Sequence, residues 1–217
     1  MTYTIAIDGP AGAGKSTVAK KLADRLGFDY LDTGAMYRAV TLEVLRRGHD
    51  PKDRYAVQEV ASDIKISFHN GHVHINDDDV DAMLRMPMVT KSVSLVSSYR
   101  FVRECLVTQQ QRIADESNIV VDGRDIGTVV LPQATIKFFL TASAEERAWR
   151  RIRDEKNTAK MTYDEILEDI QERDRFDSER EESPLRQAED AILIDSTEMN
   201  IDQVVDRMEE EFRRVAK

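Results

Sequence analysis

The 217-residue chain is 41% apolar, enough to bury a core, and its length favours one main fold with inserted segments over two independent domains. Its net charge of −10 excludes nucleic acid strands and anionic membranes as expected partners, because most of the surface would repel a polyanion. The single cysteine, Cys105, excludes a disulfide framework within the chain and indicates a reducing compartment, and since no apolar run is long enough to span a bilayer we expect a cytoplasmic protein. We also expect a monomer.

Strands and helices alternate in the first fifty residues. The predicted elements are a strand at 3–8, a helix from Lys15 to Leu26, a strand at 28–32 and a helix at 34–47 that stops at Gly48. This order is typical of an α/β fold with a parallel sheet.

An antiparallel insert then interrupts the alternation. Two alternating runs within residues 62–77 flank Asn70-Gly71, the strongest sequence signal for a two-residue hairpin turn. His69, His72 and His74 surround this predicted turn. No acidic or cysteine ligand pattern accompanies them, so we do not expect them to bind a metal.

The second half of the chain returns to strands and helices. Residues 89–116 predict a helix that is broken near Ser97-Ser98. The elements predicted after it are strands at 118–122 and 134–142, a helix at 143–156 with Ser143 and Glu146 at the capping-box positions, a charged helix at 162–180, a strand at 191–195 and a helix at 201–215.

The segment GPAGAGKST at residues 9–17 lies between a predicted strand and a predicted helix. Gly9, Gly14, Lys15 and Ser16 have the spacing G-x-x-x-x-G-K-[ST] of a phosphate-binding loop. In such a loop, backbone N–H groups converge on phosphate oxygens at the positive end of a helix. Lys15 would reach the β- and γ-phosphates of a nucleotide, and the Ser16 hydroxyl would be a ligand of Mg²⁺.

Two other segments follow predicted strands, at the edge where open α/β sheets bind ligands. LDTGAMYR places Thr33 at a helix start and Arg38 about one and a half turns into that helix. An ordinary helix cap and a surface arginine remain the alternative interpretation. VVDGRDIG ends a strand at Asp122 and presents Arg124 and Asp125 just beyond it.

Two charged segments contain groups of arginines. In ERDRFDSER, Arg173, Asp177 and Arg180 have the spacing i, i+4, i+7, which puts all three on one helix face. A solvated face of ion pairs is the alternative. In EERAWRRIR, arginines gather where a helix follows a strand and could neutralise phosphoryl oxygens in a transition state. These arginines are Arg147, Arg150, Arg151 and Arg153.

Taken together, these segments resemble the bacterial cytidylate kinases of the nucleoside monophosphate (NMP) kinase family. The likeness covers essentially the whole chain and includes GPAGAGKST, LDTGAMYR, SLVSSYRFVRE, VVDGRDIGTVV, ASAEERAWRR and ERDRFDSER. It implies an α/β P-loop NTPase fold with an adenylate-kinase-like parallel sheet flanked by helices. The implied single kinase domain, 1–217, has a core at about 1–32, 98–149 and 166–217, an NMP-binding subdomain with the hairpin at about 33–97 and a lid at about 150–165.

The resemblance also implies a reaction and a role for each matching residue. The reaction is transfer of the ATP γ-phosphate to CMP or dCMP, giving CDP or dCDP, with Mg²⁺ as cofactor and Ser16, glycine in some relatives, as its ligand. The ATP phosphates would contact Gly9, Pro10, Ala11, Gly12, Ala13, Gly14, Lys15, Ser16 and Thr17. Arg38 and Arg124 would hold the CMP phosphate, Ser94, Arg173 and Asp177 the sugar, and Thr33, Arg103, Asp125 and Arg180 the pyrimidine. The transition state would be stabilised by Lys15, Arg124, Arg147, Arg150 and Arg151.

Hydrogen-bond chemistry agrees with a cytosine site. Cytosine has an exocyclic amino donor beside ring acceptors, so its recognition needs a carboxylate and an arginine, which Asp125 and Arg103 or Arg180 could supply. Uracil presents a carbonyl where cytosine has its amine, and such a mismatch can cost roughly 10⁴-fold in specificity. The acceptor is already an anionic phosphate, so no general base is needed.

Three alternatives use related chemistry. A shikimate-kinase-like enzyme would use the same loop, but it would need a carboxylate base beside an acceptor hydroxyl. A GTP-dependent switch would need a guanine-reading N-K-x-D motif, which the sequence lacks. AMP or UMP specificity within the same fold is the nearest alternative. An assay with CMP, UMP, AMP and shikimate as acceptors separates them.

Overall fold

A computed structural model describes residues 2–69, 72–153 and 161–216. The chain forms two compact units, Met1–Asp32 with Gln111–Lys217 and Thr33–Gln110. The predicted turn at Asn70-Gly71 and residues 154–160 of the predicted lid lie outside the described residues. The predicted subdomain limits stay a prediction, because a division into compact units does not test which segment binds a nucleotide.

The strands and helices are numbered in chain order. The strands are β1 (Thr4–Asp8), β2 (Asp29–Asp32), β3 (Ile66–His69), β4 (His72–Ile75), β5 (Asp78–Asp79), β6 (Ile119–Gly123), β7 (Ile136–Thr141) and β8 (Ile192–Asp195). The α-helices are α1 (Lys15–Leu26), α2 (Thr33–Arg46), α3 (Arg54–Asp63), α4 (Pro87–Ser98), α5 (Arg100–Glu116), α6 (Ala144–Arg153), α7 (Tyr163–Glu179) and α8 (Ile201–Val215). None of the helices in the described ranges is both long and apolar enough to cross a membrane.

A five-stranded parallel sheet forms the centre of the first unit, with strand order β2-β6-β1-β7-β8. Its middle strands are buried on both faces, which is why they read as continuous apolar runs in the sequence. Helix α1 packs Val18, Leu22 and neighbouring small residues into this core, and α8 adds Val204, Met208 and Phe212. The predicted α/β fold with a parallel sheet is confirmed.

The parallel arrangement brings the carboxyl ends of the strands to one edge of the sheet. Asp8 ends β1 and pairs in register with Gly123 of β6. Asp32 ends β2 and pairs with Asp122 on the other side of β6. Three carboxylates therefore stand at the ends of three neighbouring strands, beside the loops that the sequence marked as functional.

The second unit, Thr33–Gln110, combines helices with a small sheet. Strands β3 and β4 pair antiparallel with His69 opposite His72, as the predicted two-residue hairpin requires. The predicted helix break is confirmed at Tyr99, whose extended backbone separates α4 from α5. Helix α3 and strand β5, which extends the hairpin to three strands, were not predicted from the sequence.

Candidate active site

The phosphate-binding loop has the context that its motif requires, since β1 precedes it and α1 begins at Lys15. Gly9 has φ +150°, and a Cβ atom there would lie 1.9 Å from the carbonyl oxygen of Leu140 on β7. Only glycine lets the loop leave the sheet this close to the neighbouring strand. Gly14, in the left-handed conformation, then turns the chain into α1.

Lys15 folds back over the loop and donates to the carbonyl oxygen of Pro10 at 2.8 Å. Its ammonium group is buried, and burial lowers its pKa well below the ordinary value. The positive charge of Arg124 lowers this pKa further, whereas the Asp122 and Asp8 carboxylates oppose the shift. An anionic phosphate brought to this ammonium would supply the charge partner that keeps it protonated.

Ser16 donates from Oγ to Oδ2 of Asp122 at 3.0 Å. The hydroxyl of Tyr30 donates to the other oxygen of Asp122 at 2.9 Å. Burial raises the pKa of Asp122 to about 7, and the neighbouring charge of Asp32 adds to the increase. This cluster places a hydroxyl and two carboxylates beside the loop, which is an all-oxygen donor set of the kind that suits Mg²⁺.

The segment after β6 has a backbone that the sequence did not predict. Residues Ile126–Val130 form one turn of π-helix, in which Val130 N–H donates to Asp125 C=O at 3.1 Å. Such turns occur often at functional sites. Arg124 and Asp125 lie between the end of β6 and this turn, so their direction depends on where the turn is held.

Two ion pairs join this segment to α7 and the chain just after it. Arg124 Nε donates to Asp177 Oδ2 at 2.9 Å, and Arg180 lies 3.7 Å from Asp125 Oδ1. Burial opposes ionisation of Asp177, but the positive charges of Arg124 and Arg173 outweigh it and lower the pKa of Asp177. The alternative of a solvated ion-pair face is therefore wrong for Asp177, which is buried.

The predicted helix face over Arg173, Asp177 and Arg180 needs one correction. Helix α7 ends at Glu179, and Arg180 has an extended backbone with ψ 142°. From there its Nε and Nη2 atoms donate to the carbonyl oxygen of Ser183 at 2.8 and 2.5 Å. The backbone turn after the helix, not helical periodicity, sets the position of this side chain.

The arginines of α6 are bound to protein groups. Arg147 is buried, donates to the carbonyl oxygens of Ala142 and Ala11 at 2.9 and 3.0 Å, and pairs with Asp174 at 2.6 Å. Arg147 thus holds the backbone of the phosphate loop.

The next two arginines of this helix have partners of their own. Arg150 donates to Ser196 Oγ and C=O at 3.0 and 2.5 Å, and Arg151 pairs with Asp169 at 2.5 Å. Contact of the three arginines with a transferring phosphoryl group stays a prediction. Ser143 caps α6 as predicted, accepting from Glu146 N–H at 3.1 Å, while the Glu146 carboxylate pairs with Arg150.

Four of the predicted site residues belong to the second unit. Thr33 and Arg38 lie on α2, and Thr33 is buried. Arg103 on α5 is buried, donates to Ser97 C=O at 3.1 Å and lies 5.2 Å from the centre of the Tyr37 ring. Ser94 on α4 accepts through its carbonyl oxygen from Ser97 Oγ at 3.0 Å. Helices α2, α4 and α5 thus bring Arg103 to the aromatic ring beside Arg38.

The hairpin histidines show no metal-binding arrangement. His72 Nδ1 lies 2.9 Å from Asp79 Oδ2, and the His69 and His74 rings meet edge to face. Within the described ranges, no group of three or more His, Cys, Asp or Glu side chains could hold a metal ion. The absence of a complete protein cage does not exclude Mg²⁺ at Ser16 and Asp122, since Mg²⁺ sites use one or two carboxylates together with substrate phosphates.

Sequence reasoning missed Asp8, Tyr30 and the partnership of Asp122 with Ser16. Asp8 was visible only as the last residue before the phosphate loop, and its contacts lie more than a hundred residues away. Asp32 and Asp122 did carry a signal, because each is the acidic last residue of a predicted strand at the edge where such sheets bind ligands. Their register across β2 and β6 could not be known before the strand order.

A parallel sheet with this loop, a buried lysine and a serine–aspartate pair defines the class of P-loop nucleotide-binding proteins. Solved structures share the fold at low identity. A shikimate kinase from Bacteroides thetaiotaomicron has a TM-score of 0.55 and 13% identity over 97% of this chain and 98% of that one. A gluconokinase from Sinorhizobium meliloti 1021 has a TM-score of 0.53 and 14% identity over 99% and 93%.

The family model described as cytidylate kinase matches residues 5–214, and the chain belongs to that family. A cytidylate kinase of Caldanaerobacter subterraneus subsp. tengcongensis is 53% identical over 100% of this chain and 97% of its own. Another, from Caldicellulosiruptor bescii, is 49% identical over 98% and 96%. Membership makes the chain an ATP-dependent nucleoside monophosphate kinase that acts on CMP and dCMP.

Proposed function

We propose that the chain transfers the γ-phosphoryl group of Mg·ATP to CMP or dCMP through the residues described above. The observation that carries this proposal is the edge of the sheet in the first unit. There a buried lysine, a serine–aspartate pair and the Arg124–Asp177 ion pair adjoin the phosphate loop. Such an edge provides a loop that can bind the phosphates of the donor. It also provides an arginine for the acceptor phosphate, directly after the neighbouring strand β6.

The donor side consists of the loop from Gly9 to Thr17. Its backbone N–H groups would bind the ATP phosphates, with Lys15 released from Pro10 to reach the β- and γ-phosphates. Ser16 and Asp122 would hold Mg²⁺, which when bound shields the phosphate charge and fixes the phosphate geometry. Tyr30 orients Asp122 by donating to the carboxylate oxygen that Ser16 does not contact.

The acceptor residues are the ones that the family resemblance implies. Arg38 and Arg124 would hold the CMP phosphate. The sugar would contact Ser94, Arg173 and Asp177, and the pyrimidine would contact Thr33, Arg103, Asp125 and Arg180. The ion pair between Asp125 and Arg180 supports this assignment, because it sets a carboxylate acceptor beside a guanidinium donor, as cytosine recognition requires.

The chemical step needs positioning and charge neutralisation. The CMP phosphate is the nucleophile and is already anionic, so the chain's task is to align it and to exclude water. Lys15 and Arg124 would neutralise charge on the transferring group. Arg150 and Arg151 would do so only after leaving Ser196 and Asp169. Arg147 would act through the loop backbone that it holds.

We further propose that residues 33–97 form the NMP-binding subdomain and residues 150–165 a lid. The chain would act as a cytoplasmic monomer, in the compartment where ATP and CMP are both available. These proposals rest on the family resemblance. Low ATP hydrolysis without CMP is the expected sign of an active site that assembles only around both nucleotides.

The test is ADP release from Mg·ATP by the purified chain with CMP, dCMP, UMP, AMP, shikimate or no acceptor, with products identified by chromatography. The expected result is CDP from CMP, dCDP from dCMP, and little turnover of the others. An Asp125→Asn variant should lose preference for CMP over UMP, whereas Asp115→Asn, at an exposed site on α5, should keep it. Turnover of shikimate, or equal use of CMP and UMP, would overturn the proposed substrate readout.

A further inference from the structure

Asp8 has a buried carboxylate that the proposed chemistry does not use. It is the last residue of β1, directly before Gly9 of the phosphate loop. Its side chain, however, points to another segment. Asp8 Oδ1 accepts from the backbone N–H of Ile126 at 2.8 Å, and Oδ2 accepts from that of Gly127 at 2.7 Å.

These two N–H groups open the π-helical turn after β6. The first N–H groups of a helical turn have no carbonyl oxygen within that turn to bond to, so they need an acceptor from elsewhere. Ile126 and Gly127 are both buried, which leaves water a poor substitute. Asp8 therefore caps a helical turn that is more than a hundred residues away in sequence.

The same residue also fixes the other end of this segment. The backbone of Asp8 is the ladder partner of Gly123, the last residue of β6. One residue thus holds Gly123 through the sheet and Ile126 through its carboxylate. Only Arg124 and Asp125 lie between the two anchors, and these are the residues proposed to bind the CMP phosphate and the cytosine ring.

We infer that Asp8 is a positioning residue for pyrimidine selection, which sets the direction of Arg124 and Asp125 by clamping the chain on both sides of them. The inference rests on the proposed function and deepens it. Asp8 does not touch CMP. It acts through the backbone, and its effect is expected on the acceptor side although its sequence position adjoins the donor loop.

Two charged groups face Asp8 from other elements, Lys15 on α1 and Asp125 after β6. Burial raises the pKa of Asp8 to about 6, so the carboxylate is still mostly ionised at neutral pH and can accept from both N–H groups. An asparagine in its place has the same shape, but its amide can accept through one atom only. The second N–H group would then face an NH₂ donor, and the turn should shift.

The test compares Asp8→Asn with wild type in steady-state kinetics against CMP, UMP and ATP. We expect the KM for CMP to rise about tenfold and the CMP-to-UMP ratio of kcat/KM to fall about tenfold, with the KM for ATP unchanged. Asp8→Glu keeps the charge but displaces the carboxylate, so it should not rescue the ratio and serves if Asp8→Asn folds poorly.

A matched control lies at the opposite end of the same strand. Thr4 Oγ1 accepts from the backbone N–H of Thr135 at 3.2 Å, again from β1 to a distant segment. Thr4→Val should lower the unfolding temperature without changing the CMP-to-UMP ratio. A purely structural role of Asp8 would give that same pattern and would overturn the inference.

These measurements distinguish a failure of the inference from a failure of the proposed function. If wild type prefers CMP and the Asp8 variants keep that preference, the inference is wrong and the proposed function stands. If wild type uses CMP and UMP equally, the proposed readout fails and the inference fails with it. A rise in the KM for ATP equal to that for CMP would place the action of Asp8 on the phosphate loop and would also overturn the inference.

Discussion

The loops that follow β1 and β6 leave neighbouring strands at the same edge of the sheet, yet different kinds of contact hold them. The loop after β1 obtains most of its shape from its own residues, chiefly glycines and Lys15, which bonds to a carbonyl five positions earlier, while Arg147 adds a distant contact at Ala11. The loop after β6 obtains its shape from Asp8, Asp177 and Arg180, all distant in sequence.

The difference matches the two tasks of the loops, which are phosphate binding and base recognition. A phosphate is the same in every nucleotide, so a local motif of backbone N–H groups and one lysine is sufficient to bind it. A base is recognised by the positions of a few donors and acceptors, and these must be fixed by contacts from several elements. The first loop can therefore be recognised in a short sequence, whereas the second needs the fold.

The largest effect is expected from Lys15→Ala, which tests the phosphate loop after β1. Loss of the only ammonium that can reach the transferring phosphoryl group from this loop should lower kcat about 10³-fold, with the fold intact. Lys20→Ala, at an exposed position on the same helix, should leave kcat unchanged. Near-normal turnover by the Lys15 variant would contradict the proposed mechanism.

Gly9→Ala tests whether the first loop owes its shape to glycine. The added Cβ would lie 1.9 Å from Leu140 C=O, so the loop or β7 must move. We expect the free energy of unfolding to fall by about 4 kcal/mol, measured by urea denaturation. Gly27→Ala is the control, because its φ is +67° but no atom lies within 4 Å of the new Cβ. Its loss should be only about 1 kcal/mol, and equal losses would show that crowding at Gly9 is unimportant.

The buried carboxylate of Asp8 should make the free energy of unfolding depend on pH. Burial raises its pKa from 3.8 to about 6, so the folded state holds this proton more tightly than the unfolded state. The ionised carboxylate thus lowers stability fully above pH 6 and not at all below pH 3.8. The free energy of unfolding of wild type minus that of Asp8→Asn should fall by about 2 kcal/mol between pH 4 and pH 7.

Asp190→Asn provides the comparison for this titration. Its hydrogen bond to Lys137 lowers the pKa of Asp190, so the stability that this pair contributes is already present above the ordinary aspartate range. The free energy of unfolding of wild type minus that of Asp190→Asn should therefore stay constant from pH 4 to pH 7. If the difference between wild type and Asp8→Asn were also constant over this pH range, Asp8 would not be held as a buried carboxylate.

The smallest effect is expected from Gly127→Ala, the counterpart of Gly9 in the second loop. Its Cβ would lie 3.0 Å from Lys137 Cδ and 3.4 Å from Asp8 Oδ2. The lysine chain can move, so we expect a loss of about 1 kcal/mol in unfolding, with a lower kcat/KM for CMP. Thr128→Ala, at an exposed position, should change neither quantity. An unaffected kcat/KM for Gly127→Ala would weaken the link between this turn and CMP binding.

Most secondary structure followed from periodicity and caps. Helix α1 begins and ends where its loop and Gly27 indicate, and α8 matches the predicted limits. The elements that were missed, α3 and β5, lie around the hairpin insert, where local patterns compete. The π-helical turn was also missed, because no periodicity marks a single turn whose first N–H groups are capped from another strand.

The sequence by itself determined the phosphate loop, the alternation that makes a parallel sheet, and the family resemblance, since each depends on neighbours in the chain or on motifs read in order. Only the tertiary structure decided which acidic residues meet, how Arg147 is used and where Arg124 and Asp125 are held. Those outcomes depend on strand order and register, which place Asp8 beside Gly123 and Asp32 beside Asp122. Spacing along a chain carries no information about such pairs, because the free energy that selects them comes from burial of the whole sheet.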